Sequence, residues 1–127
     1  MIKKSIRLVF VLALGLSLTL SACNSSDPIK ALQKAANKGD AEAQYELGIM
    51  YEIGDHDDVP ENLQKAVEWY KKSAEQRYAK AQLKLGLMYC VGLGVIKDNN
   101  KGCNLIREAA EQGNEMAISA YNKVCIR

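Results

Sequence analysis

The stretch Ala43-Gln44-Tyr45-Glu46-Leu47-Gly48-Ile49-Met50-Tyr51 returns 38 residues later as Ala81-Gln82-Leu83-Lys84-Leu85-Gly86-Leu87-Met88-Tyr89. Self-similarity at a period of 20 to 50 residues is the mark of a stacked-repeat architecture, so it decides the fold before any local motif is weighed. Farther on, Val59 returns as Val95 and Ala74-Glu75-Gln76 as Ala110-Glu111-Gln112, now at an offset of 36. The first copy therefore carries a two-residue insertion between Gly54 and Val59. The second copy reads Gly92-Leu93-Gly94-Val95 there.

Both copies are helical by periodicity. Leu63, Ala66, Val67, Tyr70 and Ala74 fall at i, i+3, i+4, i+7 and i+11, one stripe of an α-helix. Breakers separate the helices at Gly39-Asp40, at Gly54 with Pro60, at Gly92 to Gly94 and at Gly113-Asn114. Asp27 before Pro28 suits an N-cap and first helical position, and Asp98 suits another N-cap. The expected helices lie near 28–38, 41–53, 61–77, 79–91, 98–112 and 115–125. Such a chain is all-α, an antiparallel helix-hairpin solenoid over 28–127 with repeats at 41–77 and 79–112. Each hairpin has an apolar face it cannot bury alone, so helix 28–38, with Leu32, Ala35 and Ala36, and helix 115–125 are expected to cap the ends. Gly48 and Gly86 stand inside helices at about 1 kcal/mol each relative to alanine, tolerable where helix backbones approach closely.

The pattern Ala43-x-x-x-Leu47-Gly48-x-x-Tyr51-x-x-Gly54 and its second copy, with Lys65-Ala66-x-x-Trp69-Tyr70-x-Lys72-x-Ala74-Glu75-Gln76, resembles the Sel-1-like repeat, a relative of the tetratricopeptide repeat. The resemblance covers nearly all of the chain after the leader and implies a right-handed superhelix. Two departures stand out. The first copy has Gly54-Asp55-His56-Asp57-Asp58-Val59 in place of the family's Gly-x-Gly-Val turn, and the second has Gly102, Leu105 and Ile106 where the family has alanine and an aromatic pair.

At 100° per residue, Ala43, Leu47, Met50 and Tyr51 cluster on one side of the first leading helix, with Tyr45, Ile49 and Ile53 roughly opposite. The second copy sets Ala81, Leu85, Met88 and Tyr89 against Leu83, Leu87 and Val91. One face must bury. In tetratricopeptide-like stacks the other lines a groove, here floored by Tyr45, Ile49, Leu83 and Leu87 and edged by Glu42, Glu52, Lys80 and Lys84. An apolar patch with a polar rim usually marks a binding surface. The alternative is a helix packed between neighbours on both sides.

The start of the chain has a different composition. Residues 1–22 carry Lys3, Lys4 and Arg7 and no acid, then an apolar run of 13 residues from Leu8 to Leu20. That run suits a signal-peptide core and falls short of the ~20 residues of a spanning helix. Leu20-Ser21-Ala22-Cys23 resembles the bacterial lipobox, which implies cleavage before Cys23, lipidation of its thiol and a short tether over 23–27. Asn24 in the next position resembles an outer-membrane address, so the expected location is the periplasmic face of that membrane. Without the leader, 14 basic residues face 15 acidic ones, and a nucleic-acid partner loses its premise. The 105 residues left suffice for one core and not for a two-domain enzyme.

Three cysteines remain, Cys90, Cys103 and Cys125, in an oxidising compartment where at most one internal bridge can form. Cys103 and Cys125 are symmetric about the Gly113-Asn114 turn and so sit at equal height on antiparallel helices. Cys90 with Cys103 is the competing bridge, although Cys90 aligns with Glu52, which argues for an exposed groove position. The single histidine, His56, stands in the acidic loop Asp55 to Asp58 with no second histidine or placed cysteine to complete a zinc site. It is also the sole imidazole available to a nucleophile. Some cysteine-rich members of the resembled family are linked to β-lactams, yet the chain has neither Ser-x-x-Lys nor Lys-Thr-Gly. No phosphate-binding glycine motif precedes a helix after a strand. The expectation is a lipid-anchored periplasmic module that binds a protein or peptide, without cofactor or catalysis. Alternatives implied by the resemblance are an immunity protein against a periplasm-acting effector such as a phospholipase, and a small enzyme acting on cell-wall or β-lactam substrates.

Overall fold

A computed structural model describes residues 27–54 and 59–126. The leader, Cys23 and the loop Asp55 to Asp58 with His56 lie outside the described residues. Six helices follow one another there: α1 (Pro28–Asn37), α2 (Ala41–Ile53), α3 (Leu63–Glu75), α4 (Ala79–Val91), α5 (Asn99–Glu111) and α6 (Glu115–Val124). Among the described residues there is no strand. The helix ends fall within two residues of those expected. None of these helices is long and apolar enough to cross a membrane.

Local chemistry fixes the ends. The Asp27 carbonyl accepts from Ala31 N–H at 3.0 Å, the first bond of α1. Asp40, Asn62, Asp98 and Asn114 place a side-chain oxygen on the backbone N–H three residues on, at 2.9–3.0 Å. Each such cap satisfies an orphan donor and contributes about 1 kcal/mol. Gly54 and Gly92 end α2 and α4 with φ of 69° and 75°, where their N–H groups reach Met50 and Met88 carbonyls. Asn62 N–H then bonds Tyr51 O at 2.7 Å, and Asp98 N–H bonds Tyr89 O at 2.8 Å. Both hairpins close on the same bond, so the insertion after Gly54 is confined to the connection.

The core is built in three steps along the stack. Ala36, Ala43 and Leu47 form the first, with Leu32, Ala35, Met50, Tyr51 and Trp69 around them. Ala66, Val67, Tyr70 and Ala74 of α3 meet Ala81, Leu85, Met88 and Tyr89 of α4 in the second. The third joins Leu83 and Cys90 of α4 to Ile106, Ala109 and Ala117 of α5 and α6. Fully burying a side chain such as Leu47 or Ile106 contributes about 1.5–3 kcal/mol.

Four glutamines lock the stack in a way the apolar pattern did not reveal. Buried Gln44 donates to Ala36 O at 3.0 Å and accepts from Gln76 Nε2 at 2.8 Å. Its repeat counterpart Gln82 donates to Glu108 at 2.9 Å and accepts from Gln112 Nε2 at 2.6 Å. Ser73, also buried, donates to Ala41 O at 2.6 Å. These bonds tie α2 to α1 and α3, and α4 to α5, and leave no buried side-chain polar atom unsatisfied among the described residues.

Gly48 and Gly86, both inside helices, serve different contacts. A Cβ on Gly86 would lie 2.8 Å from Gly102 O and 2.7 Å from Ile106 Cγ1, so α4 and α5 do approach backbone to backbone. A Cβ on Gly48 would instead strike the Tyr70 ring at 2.5 Å, and here a tyrosine face rather than a backbone fills the space.

Candidate functional site

The leading helices α2, α4 and α6 present a common face, and on it the structure brings several expected groove residues together. Tyr45, Lys80, Leu83, Lys84 and Leu87 line one cavity of about 290 Å³, completed by Met116 and Ala120 of α6. A second, of about 300 Å³, is lined by Glu52, Lys84, Leu87, Met88, Val91 and Leu93. Lys84 and Leu87 belong to both, so the two cavities form one groove. Ile53, Val91, Leu93 and Met116 are exposed apolar residues.

Each expected residue has a definite place. Glu42 is exposed at the edge, with the Tyr78 hydroxyl at 3.5 Å. Tyr45 is half-buried between the rings of Tyr70 and Tyr78, at centroid distances of 5.8 and 5.5 Å. Ile49 and Leu87 are half-buried, and Lys80 is exposed. Two residues differ from expectation. Leu83 is 7% exposed and packs in the third core cluster, so it forms the base of the cavity rather than an open patch. Cys90 is 8% exposed, buried rather than presented to a groove.

The reason lies in Glu52, the residue Cys90 replaces. Glu52 turns inward, where it accepts from the Tyr70 hydroxyl at 2.5 Å and pairs with Lys84 Nζ at 2.8 Å. Its position was never an exposed one. Burial first, then the Glu52 bond, pushes the Tyr70 hydroxyl far above its ordinary value. In the second repeat Ile106 stands for Tyr70, Cys90 for Glu52 and Gly102 for Ala66. Cys90 Sγ occupies the space a Cβ on Gly102 would claim. The polar pair of one repeat is thus an apolar trio in the next. Burial raises the Cys90 thiol, with Lys97 opposing, and a protonated buried thiol is a poor nucleophile.

Cys103 and Cys125 are joined by a disulfide with Cα atoms 5.6 Å apart, tying the start of α5 to the end of α6. This bond holds the helix that carries Met116 and Ala120, the far wall of the groove. Those two residues escaped the sequence reading, although they stand 36 residues after Lys80 and Lys84 and the repeat offset could have found them. Among the described residues no cluster of three or more His, Cys, Asp or Glu is placed to hold a metal.

Two further cavities, of about 350 and 510 Å³, open between α3 and α5. Both touch Lys71, Tyr89 and Lys101, with Lys101 Nζ 4.6 Å above the Tyr89 ring. Their rims mix Lys71, Lys97 and Lys101 with Glu68, Glu75, Asp98 and Glu108.

Comparison with known proteins agrees with this architecture. The Sel1 repeat matches residues 41–78 and 79–114, the two hairpins built above. No curated protein matches the chain. A Sel1 repeat protein of Oxalobacter formigenes is similar in structure with a TM-score of 0.69 and 38% identity, over 73% of this chain and 37% of that one. A protective antigen of uropathogenic Escherichia coli with an SLR fold gives 0.64 and 40%, over 68% and 18%. Helicobacter pylori cysteine rich protein B gives 0.68 and 26%, over 80% and 77%. The chain thus spans about a third and a fifth of the first two. Proteins built on this repeat are interaction modules that bind other proteins. Two matched repeats over more than half of its residues place the chain in the Sel1 repeat family.

Proposed function

We propose that the chain is a lipid-anchored protein of the bacterial outer membrane, facing the periplasm, that binds a partner protein or peptide in the groove of α2, α4 and α6. The carrying observation is the groove itself: two adjoining cavities of about 290 and 300 Å³ with exposed Val91, Leu93 and Met116 beside them. Apolar surface left open by an otherwise well-satisfied stack is what a partner can cover. The lipid anchor rests on the order of Lys3, Lys4, Arg7, the apolar run and Leu20-Ser21-Ala22-Cys23. Two lines of work test this reading. Radiolabelled palmitate should enter the wild-type chain and not Cys23→Ser; equal labelling of both removes the anchor. Leu87→Glu should abolish capture of a partner from envelope extract while leaving helical content and melting temperature near wild type. Leu83→Glu is unsuitable because Leu83 is core.

A further inference from the structure

The groove carries a charge order of its own. Glu42, Glu46, Ile49 and Ile53 stand at i, i+4, i+7 and i+11 of α2. Lys80, Lys84, Leu87 and Val91 hold the same four positions in α4, 38 residues on. Repeat-equivalent positions have therefore kept their apolar half and inverted their charge. Across its whole length α2 has three glutamates and no cation, whereas α4 has two lysines and no anion. In α6 the counterparts of Lys80 and Lys84 are Met116 and Ala120. At the level of these two charged positions the walls from the first repeat outward are acidic, basic and then apolar, while farther along α6 Lys123 stands where α4 has Leu87.

We propose that the groove takes a polypeptide segment with a basic side chain over α2, an acidic one over α4, and an apolar one in the cavity between α4 and α6. This rests on the groove's being the binding surface. Glu46 and Lys80, both exposed, supply the attraction to the charged side chains. Lys84 is already engaged by Glu52 at 2.8 Å and contributes less. The apolar side chain enters between Leu83, Leu87, Met116 and Ala120, in the cavity of about 290 Å³. Packed helices lie about 8–10 Å apart, and an extended chain rises about 3.3 Å per residue. Successive anchors therefore stand about three residues apart.

Blocked fluorescent peptides of sequence Lys-Ser-Ser-Glu-Ser-Ser-Leu, and the same sequence written backwards to allow either chain direction, probe this order. The controls are Glu-Ser-Ser-Lys-Ser-Ser-Leu with its reverse, and a leucine peptide with serine at both charged sites. Anisotropy is read on the full-length chain in mild detergent. An exposed charge pair is worth a factor of about 1.5 to 5, and exchanging the charges turns two attractions into two repulsions. The better direction of the base–acid–apolar order should bind about 5-fold or more tighter than either acid–base–apolar peptide at 50 mM salt. That difference should shrink toward unity at 0.5 M salt, where screening is strong. Glu46→Lys with Lys80→Glu should invert the preference, with circular dichroism unchanged. Equal affinity for both orders, with the leucine control still bound and Leu87→Glu abolishing it, would overturn the charge order and leave the groove standing. Failure of every peptide, the leucine control included, would overturn both.

Discussion

Tyr70→Phe removes a single oxygen from the centre of the stack, and the structure gives the expected loss in some detail. The ring is fully buried against Gly48, so phenylalanine fills the same space and no cavity term enters. What disappears is one bond to a carboxylate, of a kind worth about 1.5–3 kcal/mol. Glu52 keeps Lys84 at 2.8 Å, so its charge is not orphaned and the lower end applies, about 1.5 kcal/mol. For a domain of about 100 residues that lowers the melting temperature by roughly 6–12 °C. A second signature comes at high pH. The folded-state hydroxyl titrates above the ordinary value of 10.0 that holds in the unfolded chain. Its contribution is therefore complete below pH 10 and is lost as pH rises beyond it, at about 1.4 kcal/mol per unit. Between pH 9 and 11 the wild type should lose about 1.4 kcal/mol more than Tyr70→Phe. Urea unfolding followed by circular dichroism at pH 7, 9 and 11 measures both quantities. A variant within 0.3 kcal/mol of wild type at pH 7, with parallel behaviour to pH 11, would refute the buried bond.

Four other variants follow from the same geometry. Arg77 sits at φ 62° where its counterparts Gly39 and Gly113 have φ of 99° and 86°, so Arg77→Gly should stabilise the fold by about 1 kcal/mol in urea unfolding. Gly86→Ala should destabilise by about 2–3 kcal/mol, because the added Cβ meets the Gly102 backbone. Gly48→Ala meets a side chain there and should show a different value in the same series. Replacing Cys103 and Cys125 with serine should cost roughly 3 kcal/mol for a loop of this length. Hydrogen exchange should localise the loss to α6.

Much of the fold was legible because the repeat writes it twice. The 38- and 36-residue offsets, the stripe from Leu63 to Ala74 and the breakers locate all six helices. What stayed hidden is polar and pairwise. Asp40 and Asn114 read as breakers, yet each also caps a helix. Gln44 and Gln82 fell on no apolar stripe, and only the neighbouring helices show that they are buried bonds rather than surface. Cys90 misled for a related reason: alignment carried over the position of Glu52, and a charged residue suggests solvent although this one reaches a buried tyrosine. The groove residues of α2 and α4 could be listed from helical angles, but the depth of Leu83 and the wall supplied by Met116 depend on how α6 packs.

A partner bound as proposed sits on the shared face of α2, α4 and α6. Site-specific photocrosslinking in living bacteria tests it directly, with the crosslinker placed in turn at Ile53, Val91 and Met116 and, on the α3 to α5 side, at Lys71 and Glu75. One discrete crosslinked species should form from the first three positions and be lost in Leu87→Glu. The same species arising equally from Lys71 and Glu75, or surviving Leu87→Glu, would rule out this face as the binding surface.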